Sequence, residues 1–175
     1  MTLKPDARRR SAKRPPARSA RAKESTSPYA ANLVRSAALP WFPFLSPGVH
    51  LKLCRASLAT GEMVFMIRMD PGATVGLHYH HGVVVSYTVK GRWRYRSTSW
   101  EAGAGDVVIQ PAGASHALEN PGDTPMEAFV HMSGPLEFVD DSGKTICIEN
   151  AETLHGRYLA YCALHGLERA EVASR

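Results

Sequence analysis

Gly72-Ala-Thr-Val-Gly-Leu-His78-Tyr-His80-His81-Gly-Val-Val84-Val-Ser-Tyr-Thr-Val-Lys-Gly91 places two histidines one residue apart in a run rich in Val, Tyr and Thr. Such residues suit a pleated strand, whose side chains alternate between faces with period two. His78 and His80 therefore share a face, ~7 Å apart along the strand, and both imidazoles can lean onto one divalent cation. His81 falls on the opposite, outer face by the same parity, unless a bulge at Gly82 turns it inward. A metal needs at least one more donor. Gly105-Asp-Val-Val-Ile-Gln-Pro111-Ala-Gly113-Ala-Ser-His116-Ala-Leu-Glu-Asn120 offers it at the end of a second apolar run. The expected site is His78, His80 and His116 around one metal ion inside a small β-barrel.

The chain has 175 residues, enough for one domain with a substantial core. Its formal charge of +5 is unevenly placed. Residues 1–23 hold nine basic side chains against Asp6 alone, leaving twelve basic and fifteen acidic residues elsewhere, a net of −3. A mildly acidic globular part argues against a nucleic-acid-binding fold. The basic segment is rich in Arg, Ala, Ser and Pro without apolar periodicity, so residues 1–27 are expected to be a disordered tail. It has no apolar signal core, and no run is long enough to span a bilayer. Its composition superficially resembles a transit peptide, but a solvated extension or a start codon placed too far upstream is favoured. Cys54, Cys147 and Cys162 are sparse, odd in number and lack metal-ligand spacing, which points to reduced, mostly buried thiols in a cytoplasmic protein.

Residues 28–48 form a lead-in. Pro28 to Leu39 suits a short helix, best between Ala31 and Ala38, which Pro40 and Pro43 stop. The aromatics of Pro40-Trp-Phe-Pro-Phe44 are expected on the barrel's outside or at its mouth. Residues 49–148 then read as many short strands punctuated by Gly and Pro, an all-β sandwich or barrel. In order these are Val49–Arg55, Met63–Met69, Val75–Tyr79, Val83–Val89, Arg92–Arg96, Val107–Gln110, His116–Glu119, Met126–Met132, Leu136–Asp140 and Thr145–Ile148. Residues 149–168 change period. Asn150 caps an expected helix from Ala151 to His165 packed on the barrel, with Leu154, Tyr158, Tyr161 and Leu164 on its buried stripe and Gly166 as its stop.

Gly72, His78, His80 and Gly91 resemble the first motif of the cupin superfamily. Gly105, Pro111, Gly113, His116 and Asn120 resemble the second, and the two in succession imply a single-domain jelly-roll cupin barrel. The first motif normally carries a glutamate ligand four or five residues after the second histidine; Val84 and Val85 stand there instead. Pro40-Trp41, Lys90 to Tyr95, Trp100, Pro111 to His116, Ser133-Gly134, Val139-Asp140, Gly143 and His165-Gly-Leu167 resemble 2,4'-dihydroxyacetophenone dioxygenases. Gly134 to Lys144 is similar, more distantly, to the acetylacetone-cleaving dioxygenase. These resemblances span about residues 39–168 and imply Fe(II) on three histidines. The implied reaction takes O2 and a small-molecule ketone, an aromatic hydroxyketone or a β-diketone, and breaks a carbon–carbon bond beside the carbonyl.

Three neutral ligands leave the metal its full charge, which favours an enolate and is consistent with Val84 in place of a carboxylate. His131 is a candidate for cavity packing or for acid–base work. Arg92, Arg94 and Arg96 make either a solvated face or, through Arg94 for example, a substrate contact, while Glu119 has outward parity. Two other functions fit a cupin. One is an isomerase or lyase using Zn(II), Mn(II) or Ni(II) as Lewis acid; the other is a non-enzymatic sensor of metal or small molecules, as in zinc anti-sigma factors. The resemblance also implies a homodimer or higher homo-oligomer, and no membrane or nucleic-acid partner.

Overall fold

The apolar runs fold as strands nearly residue for residue in the computed structural model, which describes residues 31–174. In chain order they are β1 (Phe42–Pro43), β2 (Val49–Ser57), β3 (Glu62–Met69), β4 (Thr74–His80), β5 (Val84–Lys90), β6 (Arg92–Tyr95) and β7 (Ala102–Gly103). β8 (Val107–Gln110), β9 (Ser115–Glu119), β10 (Met126–Ser133), β11 (Leu136–Val139) and β12 (Thr145–Glu149) follow, then helix α1 (Ala151–His165) and β13 (Ala173–Ser174). One sheet runs β1-β2-β3-β10-β5-β8, with β13 also on β2; the other runs β12-β11-β4-β9-β6-β7. The fold is a two-sheet, mostly antiparallel β-structure of the jelly-roll kind, with one C-terminal helix. The expected tail, residues 1–27, lies outside the described residues.

Period-two alternation decides which face each strand buries. β3 reads half-buried then buried along its whole length, with Met63, Phe65, Ile67 and Met69 turned inward. Across the register Val130 of β10 opposes Phe65 and Ala128 opposes Ile67, so both strands supply the same face. Each large apolar side chain so removed from water contributes about 1.5–3 kcal/mol.

Asn120, the last residue of the second motif, ties two turns together. It is 1% exposed, and its Nδ2 donates to the carbonyls of Met69 (3.0 Å), Asp70 (3.2 Å) and Thr124 (2.9 Å). Its Oδ1 accepts from the Gly122 amide at 2.9 Å. Asn120→Ala leaves these buried backbone groups without a partner, at a cost of about 2–4 kcal/mol. The expected reading is a melting temperature lower by about 5–10 °C in a calorimetric scan.

The helix begins and ends where its capping residues stand. Asn150 accepts from the amides of Glu152 and Thr153, and the Thr153 hydroxyl accepts from the Asn150 amide at 2.8 Å, closing a capping box. Gly166 adopts φ 62°, the left-handed turn that stops it. Ala151, Leu154, Tyr158 and Cys162 form the buried stripe. Tyr161 is half-buried against Phe42, but Leu164 is 81% exposed, contrary to expectation. It stands ~200° around the helix from buried Cys162. Buried Glu149 anchors the first turns, accepting from Arg157 Nε at 3.1 Å and from the Thr153 hydroxyl at 2.9 Å.

Two further features depart from the sequence reading. The lead-in forms only a 3-10 turn at Ser36–Ala38, where Arg35 gives no side-chain cap and the turn buries no residue. Beyond it Phe42 packs under the helix against Tyr158, while Phe44 meets Phe138 at the cavity. After the helix the chain returns to the barrel, where buried Val172 and strand β13 run parallel to Ala56 and Ser57. The Tyr158 hydroxyl accepts from the Ala170 amide at 2.8 Å on the way. No helix among the described residues is long and apolar enough to cross a membrane.

Candidate metal centre

His78 and His80 lie on β4 and His116 on the adjacent β9, with His78 and His116 directly opposite in the register. All three are buried. Their ring centroids form a nearly equilateral triangle of 4.8, 4.7 and 4.8 Å. Their candidate donor nitrogens all lie within 4.8 Å of one another, and His80 Nε2 stands 3.1 Å from His116 Nε2. Two nitrogens ~2.1 Å from one ion and at right angles about it stand ~3.0 Å apart, so the pair has the spacing of two neighbouring ligands.

A bulge aims the first ring. The β4–β9 register shifts between Val75 and His78, so both face inward while Gly76 and Leu77 point out. The shift brings the Gly76 carbonyl within 2.7 Å of His78 Nδ1, which donates to it. That bond leaves His78 Nε2 as the free lone pair, the arrangement that orients a metal-binding imidazole.

Burial keeps the cluster neutral. It pushes His78 below the ordinary histidine value, partly offset by the Gly76 bond. Burial, with the neighbouring histidines adding repulsion, takes His80 and His116 down to about 3. Neutral imidazoles present lone pairs, so the donor set fits one divalent cation of borderline softness. The pH dependence follows from the same shifts. Between pH 6.5 and about 3 the unfolded chain binds protons at these residues that the folded chain refuses. Their contribution to stability is complete above pH 6.5 and is lost as pH falls through this window. Denaturant titrations of metal-free protein should therefore show stability declining from pH 7 to pH 4.

The histidines open onto an apolar cavity between the sheets, walled by Phe44, Phe65, Ile67, Val84, Trp93, Val130 and Phe138 among others. Val84 is 3% exposed and lines this space with the three histidines. Neither of the other two candidates does. Arg94 is on the outer face, where it donates to Glu119 at 2.8 Å and pairs with Glu101. His131 also points outward and is 2.9 Å from Glu62 Oε1. Arg96 shares Glu119, Arg92 pairs with Glu101, and His81 pairs with Glu137 at 2.9 Å, so these residues form a charged exterior.

The polar residues that do reach the cavity were not visible as a motif. Tyr95 stacks on His116 with ring centroids 3.7 Å apart and planes at 20°, and burial pushes its phenol well above the ordinary tyrosine value. Gln110 Nε2 donates to the Tyr95 hydroxyl. Trp93 Nε1 donates to the buried Thr88 hydroxyl at 2.9 Å. Inward parity on β6 and β8 was the available signal; the contact itself joins strands of different sheets.

A jelly-roll barrel with a histidine cluster on two adjacent inner strands defines a cupin. Residues 30–137 match the ChrR cupin-like domain, and the chain belongs to that family. Among solved structures, an RmlC-like cupin from Ralstonia eutropha JMP134 is 30% identical, with a TM-score of 0.78 over 83% of this chain and 95% of that one. The acetylacetone-cleaving enzyme of Acinetobacter johnsonii is 28% identical over 125 residues, 67% of this chain and 78% of the relative. The crystal structure of an acetylacetone dioxygenase from the same organism shares the fold, with a TM-score of 0.67 at 23% identity over 79% of this chain and 95% of that one. Auxin-binding protein ABP19b of Prunus persica is 31% identical over 116 residues, 62% of this chain; the match spans only 54% of that protein.

Proposed function

We propose that the protein is a non-haem Fe(II) dioxygenase that cleaves the carbon–carbon bond beside a carbonyl in an aromatic hydroxyketone or a β-diketone. The observation that carries this reading is a cluster of three neutral imidazoles, His78, His80 and His116, with Val84 and, among the described residues, no carboxylate facing it in an apolar cavity. The similarity to the acetylacetone-cleaving enzyme supports the same reaction class. Fe(II) held by these residues would supply an undiminished +2 charge that favours the enolate of a chelating ketone, together with the electrons O2 needs to react. Gly76 holds the His78 ring in the tautomer that leaves Nε2 unprotonated. Val84 and the aromatic walls exclude water, which strengthens every charge interaction inside the cavity. Both atoms of O2 end in the two carbonyl-bearing fragments.

Anaerobically purified, iron-loaded protein should consume O2 with acetylacetone or 2,4'-dihydroxyacetophenone, and zinc-loaded protein should not. Turnover of either ketone without O2 would instead favour an isomerase or lyase using Zn(II), Mn(II) or Ni(II). Tight zinc binding with no turnover would favour a metal-sensing cupin. Val84→Glu adds a carboxylate facing the cluster and offsets the metal charge. Metal should be retained more firmly against a chelator, and ketone turnover should fall at least ~10-fold.

The same reading includes a homodimer. The outer face of the larger sheet exposes Tyr87, Val89, Val107, Ile109 and Phe129, an apolar surface that a second copy would cover. Sedimentation at twice the 19.1 kDa chain mass is the expected result.

A further inference from the structure

The ligand rings are not all held in the same way. His78 donates through Nδ1 to the Gly76 carbonyl at 2.7 Å, a bond that fixes both its tautomer and its plane. The ring of His116 has no hydrogen-bond partner among the described residues other than His80. What meets it instead is the face of Tyr95, with centroids 3.7 Å apart and planes at 20°.

Strand pairing puts these two rings together. β6 and β9 are antiparallel neighbours with Tyr95 opposite Leu118, so His116 lies on the diagonal, two residues along the same cavity-facing side. Diagonal neighbours stand ~7–8 Å apart along the backbone, within reach of two planar side chains. Tyr95 is itself held firmly. It is 6% exposed, and Trp93 and Trp100 meet its ring at 65° and 72° with centroids 5.2 and 5.3 Å away. Trp93 in turn is tied to the other sheet, where its Nε1 donates to the Thr88 hydroxyl at 2.9 Å.

We propose that Tyr95 is a positioning residue for the third metal ligand: the face of its ring, rather than a hydrogen bond, holds the His116 imidazole in the plane from which Nε2 reaches the ion. The proposal rests on the three-histidine metal reading and is independent of the substrate. A stack fixes direction without adding charge. A carboxylate or carbonyl accepting from the distal nitrogen would raise the basicity of the imidazole and offset part of the metal's charge, whereas a neutral ring face does not. Tyr95 thus does for His116 what Gly76 does for His78, and it leaves the metal more electron-poor. The presence of Val84 in place of a carboxylate acts in the same direction.

The test is Co(II) binding to full-length, metal-free protein, read by competition with a chromophoric chelator and by the visible d–d spectrum. Thermal melts on the same preparations report the fold. Wild type should bind one Co(II) per chain. Tyr95→Phe keeps the ring and should keep the affinity within ~3-fold, with the spectrum unchanged. Tyr95→Leu removes the ring and should bind Co(II) ~10–100-fold more weakly, with an altered spectrum. Tyr95→Ile, suited to a strand, carries the same comparison should the Leu variant not fold. Phe65→Leu, on the opposite wall of the cavity, controls for a loosened core. It should lower the melting temperature and leave the affinity within ~3-fold. Wild-type affinity and spectrum in the folded Leu variant overturn the assignment and leave the three-histidine site standing. So does an equal loss of affinity in Tyr95→Phe, which would assign the effect to the hydroxyl, or in Phe65→Leu, which would assign it to the core. Failure of wild type to bind Co(II) overturns both the assignment and the site.

Discussion

His78→Ala, His80→Ala and His116→Ala should each purify with essentially no divalent metal and show at least a ~100-fold loss of ketone-dependent O2 uptake. Removal of one ring leaves two donors, and two imidazoles do not hold a labile divalent ion against buffer and chelator. The three variants should nevertheless fold. Each deletes a buried ring that is neutral and makes at most one hydrogen bond within the protein. Melting temperatures of the metal-free proteins should lie within about 5 °C of wild type. Metal analysis and thermal melts on the same preparations therefore separate loss of the site from loss of the fold. A variant that retained one ion per chain would exclude its histidine from the ligand set.

Gly82→Ala should be the most damaging single methyl in the chain. A Cβ there would sit 1.1 Å from the Ser133 carbonyl oxygen and 2.3 Å from its carbon, contacts that only a backbone shift can relieve. The surrounding bonds resist that shift: the His81 amide donates to the Pro135 carbonyl at 3.1 Å and the Ser133 amide to the Val83 carbonyl at 3.0 Å. Gly82 thus clamps the β4–β5 connection against the β10–β11 turn, two residues after His80. Destabilisation of about 4 kcal/mol or more is expected. It should appear as a drop of about 10–15 °C in melting temperature. Displacement of His80 should also weaken metal retention, whereas Gly156→Ala, on an open helix face, should raise helix stability slightly.

Local chemistry made much of this architecture readable. Val49 to Arg55 and Met126 to Met132 alternate so regularly that they fold as strands with little choice, and Asn150 and Gly166 mark the helix ends by their capping chemistry. What escaped depends on contacts far apart in sequence. Parallel pairing of β13 with β2 depends on a partner more than a hundred residues away, and Ala173-Ser174 carries no strand signal of its own. The lead-in has helix-forming residues between Ala31 and Ala38, but its turn has no side-chain cap and buries no residue, so composition alone misleads there.

At the site the same division holds. Period two puts His78 and His80 on one face, and the structure brings both rings to His116. The bulge at Gly76 and Leu77 that supplies a carbonyl to His78 is marked in the sequence only by a glycine inside the strand. His131 and Arg94 were candidates by residue type, yet each is matched on the outer surface by an acidic partner, Glu62 or Glu119, that only the pairing of strands reveals. Tyr95 and Gln110 are ordinary inward residues until two sheets bring them together.

X-ray absorption at the iron edge of anaerobically loaded protein tests the central assignment most directly, because it counts imidazole ligands without reference to any substrate. Three imidazoles at ~2.1 Å around one iron per chain are predicted. Two or fewer, or a first coordination shell dominated by sulfur or carboxylate oxygen, would contradict a centre built from His78, His80 and His116.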